Sequence, residues 1–100
     1  MKKLYMLSYD LKGLGHNYMP LYEAIKVNFP EWKHVTENTW LIKTDKTAKE
    51  IFAAISSGFS LKPFSDSYLI AEVNKENMEG FIPSSAWNWV KDEESIPENN

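Results

Sequence analysis

The strongest constraint on the fold is the order in which two kinds of apolar spacing follow one another. Leu4–Tyr9 is a short apolar and aromatic run that stops at Asp10, before the turn-rich Lys12-Gly13-Leu14-Gly15-His16-Asn17. Its length and composition predict a strand buried on both faces. Leu21, Tyr22, Ile25 and Phe29 then recur at helical spacing, with Asn17 as candidate N-cap, Pro20 in the first turn and Pro30 as the stop. Trp32–Thr36 and Thr39–Thr44 are β-rich runs joined by Glu37-Asn38, which predicts a hairpin. With those two residues as the turn, Thr36 faces Thr39, Val35 faces Trp40, His34 faces Leu41 and Lys33 faces Ile42. Val35, Trp40 and Ile42 then share one side, and His34 and Leu41 the other; a slip of one residue remains open.

A second helix is predicted over Thr47–Ser57. Thr47 and Glu50 have capping-box spacing, Ala48, Ile51, Phe52 and Ile55 form the stripe, and Gly58 is the stop. Ser67–Val73 is a fourth strand, Phe81-Ile82 a candidate short strand, and Pro83-Ser84-Ser85 leads into a short helix through Val90. The order strand–helix–strand–strand–helix–strand is a βαββαβ, or ferredoxin-like, α+β plan: an antiparallel sheet with two helices on one face and a short C-terminal helical extension. The expected sheet places strand one between strands four and three, parallel to three and antiparallel to four. Tyr5, Leu7, Tyr9, Tyr68, Ile70 and the hairpin residues are too many to point inward together. The second face therefore calls for a cover, either a second copy or the Trp87–Val90 helix.

The chain has 100 residues, 43% of them hydrophobic, which suits one folded domain. Residues 1–91 form that domain, and the acidic 92–100 read as a disordered tail. The net charge is −3, but Asp92, Glu93, Glu94 and Glu98 carry the imbalance, so the body is close to neutral. All eleven cations are Lys. Without the bidentate fork of Arg, tight sequence-specific nucleic-acid binding is disfavoured, while a weaker, metal-bridged contact with a phosphodiester stays open. The absence of Cys removes disulfides, thiolate metal sites and a thiol nucleophile. The N-terminal apolar stretch lacks a small-residue cleavage site, and the longest uncharged runs, Ile51–Leu61 and Gly80–Val90, have 11 residues each. A bilayer helix needs about 20. The expectation is a cytoplasmic protein with no membrane partner.

Several strings carry a resemblance. They are Ser8-Tyr9-Asp10-Leu11, Tyr18 with Leu21-Tyr22-Glu23-Ala24-Ile25-Lys26, Trp32-Lys33-His34, and Thr39-Trp40-Leu41-Ile42. Asp66 with Leu69-Ile70-Ala71-Glu72-Val73 belongs with them, as does Gly80-Phe81-Ile82-Pro83 with Ala86-Trp87-Asn88-Trp89. Across residues 4–90 the chain resembles the small bacterial and phage proteins termed SinR-like, and through them the CRISPR-associated Cas-two proteins and virulence-associated protein D. That resemblance implies a ferredoxin-like homodimer. Some Cas-two proteins are metal-dependent nucleases and others are scaffolds. It carries over one residue, the Asp that ends strand one, here Asp10. The Arg-rich helix start of that group is absent.

Asp10 thus reads two ways: as an Asx-turn residue, or as a catalytic and metal-ligating carboxylate that meets its twin across a dimer around Mg²⁺ or Mn²⁺. Asp66, at the start of the neighbouring strand, is a candidate to share that cation. His34 lies two strand spacings from Asp10, too far for a general base within one subunit, and reads as packed beside Trp32. His16 reads as a solvated turn residue. Ser8 lacks a nearby base, and Gly13-Leu14-Gly15 lacks a third Gly where Tyr18 stands. Trp32, Trp40, Trp87 and Trp89 are candidates for base stacking, core or interface, with Trp87 and Trp89 assigned to a dimer or partner surface. The two functions left standing are a Cas-two-like, metal-dependent endonuclease acting on RNA or DNA, and a non-catalytic homodimeric interaction module.

Overall fold

The computed structural model describes residues 2–12, 18–57 and 66–92. Its elements are β1 (Lys3–Leu11), α1 (Met19–Asn28), β2 (Trp32–Thr36), β3 (Thr39–Thr44), α2 (Ala48–Ser56), β4 (Asp66–Glu72) and α3 (Ser84–Lys91). A single 3₁₀ turn, Lys75–Asn77, lies between β4 and α3. The strands form one antiparallel sheet in the order β2-β3-β1-β4. β1 and β3 are therefore antiparallel, which corrects the expected parallel pair. The reason is topological. Passage through α1 returns β2 in the direction of β1, and the hairpin then reverses β3.

β1 is central and longer than expected. It continues through Asp10 to the fully buried Leu11. Its odd residues Tyr5, Leu7, Tyr9 and Leu11 all face the helices, where they meet Leu21, Ile25 and Phe29, Ile51 and Ile55 of the helical layer, and Trp40 and Ile42 of β3. Tyr68 and Ile70 pack against the same cluster. One face thus accepts Tyr5, Leu7, Tyr9, Tyr68 and Ile70 together with Trp40 and Ile42, while Leu41 and Val35 of the hairpin go to the other. The even residues Leu4, Met6, Ser8 and Asp10 line the second face, and only the first part of it is covered. Leu4, Leu41 and Val90 of α3 form a second core, with Met6, Val35, Val73, Met78 and Trp89 packed around it. β1 is doubly buried near its start and singly buried near its end.

The hairpin departs from the expected register by one residue. Thr36 pairs with Thr39 as anticipated, but His34 then pairs with Trp40, Lys33 with Leu41 and Trp32 with Ile42, because Val35 is an extra residue in β2. The bulge turns Val35 to the α3 side and leaves His34 on the side of Trp40, the reverse of the expected assignment. The loop is tied to β1: the Tyr9 amide donates to the Asn38 carbonyl at 3.1 Å, and Asn38 Nδ2 donates to the Tyr9 carbonyl at 3.1 Å.

α2 follows local rules at its start and packing thereafter. The Thr47 hydroxyl accepts from the Glu50 amide at 3.1 Å, while the Glu50 carboxylate accepts from the Thr47 amide at 2.8 Å. Ile51 and Ile55 are buried, but Phe52 is exposed, its ring tilted at 47° to that of Tyr68 with 5.1 Å between centroids. α1 is capped by Tyr18, with Pro20 in its first turn and without a side-chain cap. Asn17 and Gly58, read as helix punctuation, lie outside the described residues, as does the tail beyond Asp92. Phe81-Ile82 is not a strand; Phe81 stands fully in solvent.

Leu7→Ala is expected to cost about 3 kcal/mol, as a large-to-small change at a wholly buried central position. Thr47→Ala is expected to cost about 1 kcal/mol through the lost capping box. Urea unfolding followed by far-UV circular dichroism measures both.

Candidate functional site

The uncovered half of the second face is where β1 and β4 run on past α3. Ser8 and Asp10 of β1 lie there opposite Leu69 and Ser67 of β4. Together with Tyr9 and Tyr68 they border a shallow depression of about 300 Å³. Leu69 is 63% exposed, an apolar side chain standing in water in mid-strand. Asp10 is exposed too, and its Oδ2 lies 3.6 Å from Lys12 Nζ. Both groups are well solvated, so this ion pair orders the carboxylate weakly.

The register separates the two aspartates. Asp10 is opposite Ser67, and Asp66 is opposite Leu11. Residues directly across a sheet share a face, and successive residues alternate. Asp66 therefore lies on the helix side with Leu11, while Asp10 lies on the uncovered side. Strand pairing brings their backbones together and the pleat sends their side chains apart. Among the described residues no group of three or more His, Asp or Glu converges as metal ligands do. Ser8 shares its face with Asp10, and its cross-strand neighbours are Thr39 and Leu69.

His34 belongs to a different surface. β2 is two strands from β1, and His34 is on the helix side. Its ring stacks on Trp40 at 4.2 Å with 15° between the planes, and Tyr22 meets it edge-on at 4.9 Å. Trp40 is buried and serves the core, which removes it from base stacking. Trp32 stays half-buried at the sheet edge with Lys26 Nζ 5.2 Å from its ring centre. In α3, Trp89 packs on the chain's own sheet, while Trp87 is half-buried beneath Lys91 Nζ at 5.8 Å. His16 and Gly13-Leu14-Gly15 lie outside the described residues.

Tyr9 anchors the helix side under Asp10. Trp40 Nε1 donates to the Tyr9 hydroxyl at 3.0 Å, and that hydroxyl donates to the Glu37 carbonyl at 2.8 Å. Burial raises the Tyr9 phenol well above its ordinary range. Tyr68, whose hydroxyl meets Ser56 Oγ at 2.6 Å, is raised by burial as well. Sequence reading had marked neither tyrosine as a polar anchor. The signal available was a Tyr at an inward position of each of two adjacent strands, since a buried phenol needs a partner. Leu69 was legible too, by alternation from Tyr68 and Ile70.

Comparison with protein-family models, with curated proteins and with solved structures finds no match to this chain. No helix among the described residues is long and apolar enough to cross a membrane.

The two raised phenols set an alkaline limit. An unfolded tyrosine ionises near pH 10. The folded chain holds Tyr9 and Tyr68 neutral beyond that, so their contribution is full below about pH 10 and is lost as pH rises through the folded-state values. Absorbance at 295 nm should show late phenolate formation coincident with loss of circular dichroism. Tyr9→Phe and Tyr68→Phe should each remove part of that late amplitude. Tyr9→Phe should in addition destabilise by about 1–3 kcal/mol, because Trp40 Nε1 and the Glu37 carbonyl lose their partner.

Proposed function

We propose that this chain is a cytoplasmic, Cas-two-like homodimer acting as a protein-interaction module, its two copies meeting through the half of the sheet that α3 leaves bare. The observation that carries the reading is Leu69, largely exposed in the middle of β4 on that half. A sheet face with an apolar centre and a polar border of Ser8, Asp10 and Ser67 suits a self-complementary contact. The element order and the strand order β2-β3-β1-β4 fit the ferredoxin-like plan and support the resemblance to Cas-two proteins.

A second reading, a metal-dependent endonuclease acting on RNA or DNA, is favoured by the place of Asp10. The carboxylate is exposed on the same bare half, near the carboxyl end of the central strand. In a symmetric pair the two Asp10 carboxylates would be the groups to hold one Mg²⁺ or Mn²⁺, which would supply an activated water for hydrolysis of a phosphodiester. We rank it second because Asp66 lies on the other face, so each copy brings one carboxylate, and Lys12 already attends it. The all-Lys cation set offers no bidentate phosphate fork.

Light scattering over a concentration series should report a dimer for the parent chain. Leu69→Lys, an exposed change that leaves the core intact, should weaken it by about a hundredfold or more through an unpaired charge in the contact. A parent chain that stays monomeric at high concentration overturns both readings. The dimer is then incubated with short RNA and duplex DNA in Mg²⁺, Mn²⁺ or EDTA. The first reading expects no cleavage that Asp10→Asn abolishes. Metal-dependent cleavage lost in Asp10→Asn replaces it with the second.

A further inference from the structure

Among the described residues Lys43 and Thr44 are the buried polar positions, and neither reading uses the ammonium of Lys43. Lys43 lies on the second face opposite Leu4, and it is 9% exposed. Its ammonium reaches the C-terminal end of α3, donating to the Trp89 carbonyl at 2.6 Å and to the Asp92 carbonyl at 2.6 Å. It also lies 4.5 Å from the centre of the Trp89 ring. The last carbonyls of a helix lack intrahelical donors and carry the negative end of its dipole, so a cation there satisfies both needs. The opposite end of α3 is held differently. Its N-cap is Pro83, which offers no side-chain acceptor. The segment leading to it, 78–83, has no helix or strand, and Glu79, Gly80 and Phe81 are exposed.

α3 is thus an eight-residue helix gripped at its C-terminal end and along Ala86 and Val90. A helix this short has little stability away from a surface. Release would require only that the helix melt and Lys43 return to water, and the exposed connector would need no rearrangement of the sheet.

We propose that α3 is a strap latched by Lys43, opening as one cooperative unit over the Leu4–Leu41 half of the second face while the sheet stays folded. Opening joins Leu4, Met6 and Leu41 to the bare half around Leu69, so the strap sets how much of the face a second copy of this chain can use. The opening stands by itself; its consequence for pairing rests on the homodimer reading.

Hydrogen exchange of the full chain, resolved by mass spectrometry of peptides, tests it. The amides of α3 should exchange together and at least about tenfold faster than those of β1 and β3. Lys43→Met, which keeps the length and removes the charge, should speed α3 by about a further tenfold and leave β1 and β3 unchanged. If Lys43→Met does not fold, Val90→Ala loosens α3 from the helix side and should give the same pattern. One shared rate for α3, β1 and β3 in the parent chain overturns the strap. So does a variant that speeds all three elements equally, since that is a general loss of stability. Light scattering on the same samples reads the consequence separately. The loosened variant should self-associate about tenfold more tightly, and unchanged association removes the link to pairing.

Discussion

Everything in this molecule is arranged around the two faces of β1. The strand is central, so both of its backbone edges are paired and its side chains have only up and down to choose from. Tyr5, Leu7, Tyr9 and Leu11 go to the helices without exception, each buried to within a few percent. Full burial of one such side chain contributes roughly 1.5–3 kcal/mol, and a slip of one residue would send all four to the other side at once. The register of β1 against β3 and β4 is therefore fixed by the core, and those two strands inherit their sidedness from it.

The hairpin is then a problem of fitting an edge strand to a settled centre. Trp40 must point inward because it sits opposite Leu7. The Asn38 and Tyr9 backbone bonds hold the loop end in place, and the Tyr9 hydroxyl ties Trp40 to the Glu37 carbonyl. Between those fixed points β2 carries one residue more than β3 can pair. The surplus is Val35, and moving it to the α3 side gives an apolar side chain an apolar cover while keeping His34 stacked on Trp40. A hydrogen-bonded loop and a buried Trp together decide the bulge.

Much of this was legible in the sequence, and the failures share a cause. Element order, the capping box of Thr47 and Glu50, the stripe of Ile51 and Ile55 and the short last helix are local properties, written in spacings of two to four residues. The direction of β3 follows from the connectivity, since α1 returns β2 along β1 and the hairpin reverses it. Phe52 carried the helical period but sits at the margin of the buried stripe, where a ring packs sideways on Tyr68. The Val35 bulge, the burial of Lys43 and the separation of Asp10 from Asp66 depend on partners distant in the chain: α3 for Val35 and Lys43, and β4 for Asp10. Asp66 is the instructive case. Proximity of two strand ends was readable, but which face each carboxylate takes turns on a register shift of a single residue.

The location of the bare half follows from the same strand. Along the even positions of β1 the side chains change from Leu4 and Met6 to Ser8 and Asp10. The apolar pair can hold a helix, and α3 lies there with Lys43 fastening its end. The polar pair cannot repay the cost of removing a carboxylate from water, so no element of the chain covers it among the described residues. Leu69 and Asp10 are then exposed for one reason: they stand beyond the point where the second face stops being apolar. Any role for this surface has to begin from a carboxylate and a leucine left exposed on the same face.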